Sequence, residues 1–146
     1  MIVSDANLIV YLLVEGERSE AARTVLRKAP TWIAPPLWRS ELMNVLNGYV
    51  KRGAFPLRHA VDLVSAAEAI VSSGDARSDP AQVLGLSTTS GCTTYDCEYV
   101  ALAQRFEIPL VTADRKMLAA FPSTATSLES YAATAGEPEM MLGGIR

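Results

Sequence analysis

The chain has 146 residues, of which 49% are hydrophobic and 20% charged, with a formal net charge of -3 and a pI near 5.1. That length is one ordinary domain with a buried core, and the balance excludes both a disordered low-complexity chain and a broadly basic surface that grips nucleic acid by charge alone. No apolar run reaches the roughly 20 residues of a membrane helix, and Asp5 interrupts the place where a signal peptide has its apolar centre, so no membrane association and a cytoplasmic location are expected.

Two cysteines, Cys92 and Cys97, cannot build a disulfide framework, and with a single histidine in the chain they lack partners for a zinc site. Both are expected to pack in the interior.

In chain order, residues 2–4 read as a short apolar strand, Asp5 to Asn7 as helix-capping residues, and Leu8 to Val14 as a helix. A second helix, "RSEAARTVLRKA", runs from Gly16 to Pro30 and carries Arg18, Arg23, Arg27 and Lys28, read as a solvated face or a local basic patch. "TWIAP" is a brief strand closed by Pro35 and Pro36. Pro36 opens a helix that stops at Gly53, and Pro56 opens another that the punctuation carries as far as Gly74.

A shorter helix follows in "SDPAQVLGLSTTSG", weakened by Gly85. Thr93 or Thr94 then caps "YDCEYVALAQRF", "IPLVTAD" is a buried strand, "RKMLAAFP" a short helix and "TATSLES" a last strand. Residues 1–135 form one domain in this reading, and residues 136–146 a tail. Short apolar strands between long helices predict an α/β fold with a parallel sheet covered by helices on both faces.

In such sheets, sites lie beyond the carboxyl ends of the strands. Asp5 and Asp114 stand at two such ends. Glu41 falls on the apolar stripe of its helix, with Leu37, Val45 and Tyr49 above and below it, and Asp96 falls in the first turn after the threonine cap. Each acid alone has an ordinary structural reading: a cap for the two strand ends, a dipole contact for Asp96, an ion pair with Arg39 for Glu41. Together they are four acids without an evident cationic partner, and clustered carboxylates repel unless a divalent cation neutralises them. Mg2+ or Mn2+ meets that demand, being held by few carboxylates and several waters, and such an ion can activate water for attack on a phosphodiester.

The segments "VSDANLIV", "PPLWRSELMNVL", "TTYDCEYVALAQ" and "IPLVTADRKML" resemble, in order and character, the four acidic motifs of PIN-domain ribonucleases, and most of all those of VapC toxins of bacterial toxin-antitoxin pairs. The likeness covers roughly residues 1–128. It implies a three-layer α/β/α sandwich around a mainly parallel sheet, Mg2+- or Mn2+-dependent cleavage of RNA, a homodimer, and silencing by a cognate VapB-like antitoxin.

Asp5, Glu41, Asp96 and Asp114 match the family's acidic quartet and are assigned by that likeness to catalysis and to the metal with its waters. Thr112 matches its small hydroxyl residue. Asn7 stands where the first motif more commonly has Thr or Ser and can still hydrogen-bond a carboxylate or water, so both are read as supporting polar residues. Arg115 and Lys116 are candidates for the substrate phosphates or, equally, solvated residues of a short helix. Cys97 and Glu98 replace the usual small or apolar residues after the third acid; Glu98 adds negative charge near the site if its helix turns it that way, whereas its two-residue offset from Asp96 favours a direction elsewhere on the helix.

Rival readings are a PIN fold that binds RNA or a partner without turnover, and a Mg2+-dependent phosphatase of another α/β family. A haloacid dehalogenase-type phosphatase wants a second acid at position 7, where this chain has Asn7. A receiver domain wants a nucleophilic aspartate after the middle strand, which "TWIAPP" does not offer.

Overall fold

The structure is a computed structural model that describes residues 1–74 and 77–134. The expected tail at 136–146 and the boundary at 135 lie outside the described residues. Five short parallel strands, β1 (Ile2–Ser4), β2 (Trp32–Ile33), β3 (Val71–Ser72), β4 (Leu110–Thr112) and β5 (Ala125–Ser127), form one sheet in the order β3-β2-β1-β4-β5. The central strands are buried along their whole length, each with two apolar residues followed by a small hydroxyl residue, Ser4 or Thr112, as suits parallel strands covered on both faces.

The chain starts in the middle of the sheet, builds outward through β2 and β3, then crosses back to β4 and β5 on the other side. The strand order therefore reverses between β1 and β4, and at such a switch point the loops leaving the carboxyl ends part to form a crevice. Val3 lies beside Leu110 and Ser4 beside Val111, so continuing the register by one residue sets Asp5 beside Thr112.

The helices form two layers. α1 (Ala6–Leu13), α2 (Ser19–Lys28), α3 (Leu37–Lys51), α4 (Leu57–Ile70) and α8 (Leu128–Ala133) pack among themselves, while α5 (Pro80–Ser90) pairs with α6 (Thr94–Phe106), which lies on β1 and β4. α7 (Arg115–Ala120) follows β4 and contacts β5. The three-layer α/β/α arrangement expected from the sequence is the observed one. Its core joins Ile2, Val3, Trp32, Leu42, Leu46, Leu102 and Leu110, all essentially without solvent contact, and the indole N–H of Trp32 donates to the carbonyl of Ala29 at 2.8 Å.

Two segments differ from the sequence expectation. The helix expected to reach Gly74 stops at Ile70, and Val71–Ser72 instead forms β3 against Trp32 and Ile33, because an open edge on β2 offers ladder hydrogen bonds to an extended backbone. "TATSLES" is a strand only as far as Ser127, whose hydroxyl accepts from the N–H of Ser130 and starts α8. Among the described residues no helix is long and apolar enough to cross a membrane.

Candidate functional site

Asp5 leaves the end of β1 and caps α1, accepting from the N–H of Leu8 at 2.8 Å. Its other carboxylate oxygen accepts from the hydroxyl of Thr112, the last residue of β4. Asp114 does the corresponding duty after β4, capping α7 by accepting from the N–H groups of Lys116 and Met117 at 2.8 and 3.2 Å. The backbone N–H of Asp114 in turn donates to Thr112 Oγ1 at 3.0 Å, so one threonine side chain ties both strand ends together.

Glu41 comes from α3 and is half-buried. Its partner is not Arg39, which pairs with Glu68 outside, but the phenol of Tyr99, whose hydroxyl donates to Glu41 Oε1 at 2.6 Å. Asp96 enters from the first turn of α6, whose cap is Thr93. Asp5, Glu41, Asp96 and Asp114 together line a cavity of about 170 Å³, with Ala6, Asn7, Asn44, Val45, Tyr99 and Met117 as its remaining walls. Among the described residues no lysine, arginine or histidine lines the cavity.

Electrostatics follow from this composition. Burial pushes the carboxyl of Asp5 up to about 6, against the lowering effect of its hydrogen bonds from Thr112 and Leu8, and the nearby carboxylates Asp114 and Glu41 push the same way. Glu41 is also raised, first by burial and then by Asp96 and Glu98, with the Tyr99 hydrogen bond opposing. The phenol of Tyr99, buried and bonded to a carboxylate, is held well above the usual range and stays a donor.

An all-oxygen donor set with no cation of its own fits a hard divalent ion. Among the described residues no three His, Cys, Asp or Glu side chains are grouped closely enough to ligate one ion directly.

The other residues singled out by sequence divide. Asn7 is exposed on the cavity wall, and Thr112 is fully buried behind it. Arg115 and Lys116 are exposed at the start of α7 and do not line the cavity; the ammonium of Lys116 donates to the carbonyl of Gly91 at 2.8 Å. Glu98 turns away from the cavity toward a neighbouring one walled by Pro35, Leu37 and Arg77. At and along α2, Arg18 pairs with Glu129, Arg23 with Glu15 and Glu20, and Arg27 with Glu20, while Lys28 donates to the carbonyls of Tyr131, Ala132 and Thr134, so each of these cations already has partners within the chain. Cys92 and Cys97 are free and buried.

Sequence reasoning passed over Tyr99 and Asn44 as wall residues. The signal was spacing: each lies three positions after an acid, Asp96 or Glu41, and therefore on the same helix face.

Comparison with known proteins agrees with this geometry. The family model described as PIN domain matches residues 2–122. Ribonuclease VapC3 of Pyrobaculum aerophilum is 31% identical over 129 residues, which span 86% of this chain and 98% of that protein. The crystal structure of PAE2754, also from Pyrobaculum aerophilum, superimposes with a TM-score of 0.72 at 20% identity, covering 90% of this chain and 92% of the other. By the match over most of its length, the chain belongs to the PIN domain family.

Proposed function

We propose that the chain is a divalent-metal-dependent endoribonuclease of the VapC type, the toxin of a toxin-antitoxin pair. The observation that carries this reading is the cavity at the β1/β4 switch point, walled among the described residues by four carboxylates and no cation. RNA as substrate rests on the similarity to Ribonuclease VapC3.

Asp5, Glu41, Asp96 and Asp114 are the residues that would hold Mg2+ or Mn2+ and its waters. A bound ion of this kind supplies Lewis-acid activation of water and neutralises charge on the phosphodiester. The chain's own contribution is orientation: Thr112 fixes Asp5, and backbone N–H groups fix Asp114. Asn7 presents its amide at the rim, and Arg115 and Lys116, exposed outside the cavity at the start of α7, would contact the flanking phosphates, Lys116 in exchange for its bond to the Gly91 carbonyl.

The protein acts in the cytoplasm as a homodimer and is silenced by a VapB-like antitoxin. An acidic cavity on a chain of net charge -3 favours a basic inhibitory segment, since complementary charge both steers and orients a partner.

Incubation of the purified protein with total cellular RNA tests the reading. Discrete fragments that form with Mg2+ or Mn2+ and vanish with a chelator support it, and their ends identify the cut sites. An intact RNA pool in the presence of folded protein and metal counts against turnover.

A further inference from the structure

Three of the four cavity carboxylates are held by donors, and the way each is held differs. Asp5 and Asp114 are short side chains at helix N-termini, where free backbone N–H groups lie within reach. Glu41 has neither advantage. It sits within the first turns of α3, its Cβ directed by the helix, and its longer side chain has an extra rotatable bond. Half-buried beside an open cavity, an untethered Glu41 carboxylate would turn to bulk water, because burial without a hydrogen bond is costly.

We infer that Tyr99 is the positioning residue for Glu41, orienting its carboxylate toward the cation site by a single hydrogen bond from the neighbouring helix. This rests on the metal-dependent reading above. The hydrogen bond is 2.6 Å long and joins residues 58 positions apart, and the phenol that donates it is 2% exposed, so its ring is fixed by packing before Glu41 arrives. Tyr99 is three residues after Asp96 on α6, which puts an acid and the donor for a second acid on one helix face.

The chemistry of the donor matters. A lysine or arginine at this place would orient Glu41 but also neutralise it and repel a divalent ion; a neutral phenol orients the carboxylate and leaves its charge for the cation. Asp96, by contrast, accepts no hydrogen bond on its carboxylate from any described residue, so the cavity offers three fixed acids and one adjustable one.

The test is direct Mn2+ binding, followed by the spectrum of the free ion, to wild type, Tyr99→Phe, Glu41→Gln and the double variant. Phenylalanine keeps the packed ring, and thermal unfolding checks that the fold is retained. Outer-shell donors of this kind are worth about 10- to 100-fold in metal affinity. Tyr99→Phe is expected to weaken Mn2+ by about 10-fold or more, and to add nothing once Glu41 is already Gln. Wild-type affinity in Tyr99→Phe overturns the positioning role while leaving the metal-dependent reading intact. Equal weakening by Tyr99→Phe in both backgrounds also overturns it, since the effect then does not pass through Glu41. Failure of the wild type itself to bind Mn2+ overturns both.

Discussion

Thr112 and Asp5 are 107 residues apart in sequence and joined by a buried hydrogen bond, hydroxyl to carboxylate, across the central pair of strands. The same Thr112 oxygen accepts from the backbone N–H of Asp114. One side chain thereby sets the relative position of the two acids that terminate β1 and β4. Thr112→Val keeps the shape and removes both roles, leaving the partly buried N–H of Asp114 and the buried carboxylate of Asp5 each short of a partner. The expected cost is about 1–3 kcal/mol in denaturant unfolding, and Thr112→Ser should recover most of it. An unchanged midpoint in Thr112→Val would mean that the bridge does not hold the strand ends.

The buried Asp5 makes the metal-free protein sensitive to pH. Its carboxyl titrates near 6 in the folded chain and near its ordinary value, about 4, in the unfolded one. The folded state therefore binds the proton more tightly, so the contribution to stability is full below about pH 4 and is lost as pH rises through about 6. In the presence of chelator, unfolding free energy should fall between about pH 4 and pH 7 by up to about 3 kcal/mol more in wild type than in Asp5→Asn. Asparagine still caps α1, so the variant isolates the charge. A divalent cation added near pH 7 should raise the melting temperature of wild type far more than that of Asp5→Asn. Parallel pH curves for the two proteins would show that Asp5 is not the strained group.

Glu107 closes α6 in the left-handed region, at φ 53°, and it is the one non-glycine residue with positive φ among those described. It lies at the amino end of β4, opposite the acidic cavity. Glu107→Gly should stabilise the fold by about 0.5–1 kcal/mol, the relief of a left-handed L-residue less the extra freedom of glycine when unfolded. RNA cleavage should be unchanged. A lower melting temperature would mean that the side chain makes contacts worth more than the backbone relief.

The parts of this molecule written locally were readable from sequence, and the parts written across it were not. β1 and β4 announce themselves as short, mainly apolar segments that lead to an aspartate, and Thr93 and Pro56 mark helix starts by their own chemistry. The location of Asp5 and Asp114 at one crevice then follows from parallel topology. Val71–Ser72 continues the apolar spacing of α4, and only the edge of β2 makes it a strand. α8 begins inside a segment whose first half is a strand, with Ser127 serving as the end of one and the cap of the other. For Glu41 the sequence offers Arg39 as the nearby cation. The actual partner, Tyr99, stands on another helix and is neutral, and no local pattern pairs the two.

If the cavity carboxylates act through a divalent ion on RNA, Asp96→Asn disables cleavage and leaves the fold in place. Asp96 caps no helix with its side chain and accepts no hydrogen bond from the described residues, so the substitution removes charge with little else. The measurement is the single-turnover rate of RNA cleavage in Mn2+ by wild type and Asp96→Asn, beside their thermal unfolding. The account predicts a fall of about 100-fold or more in rate with nearly unchanged unfolding. A variant that cuts RNA at the wild-type rate would contradict it.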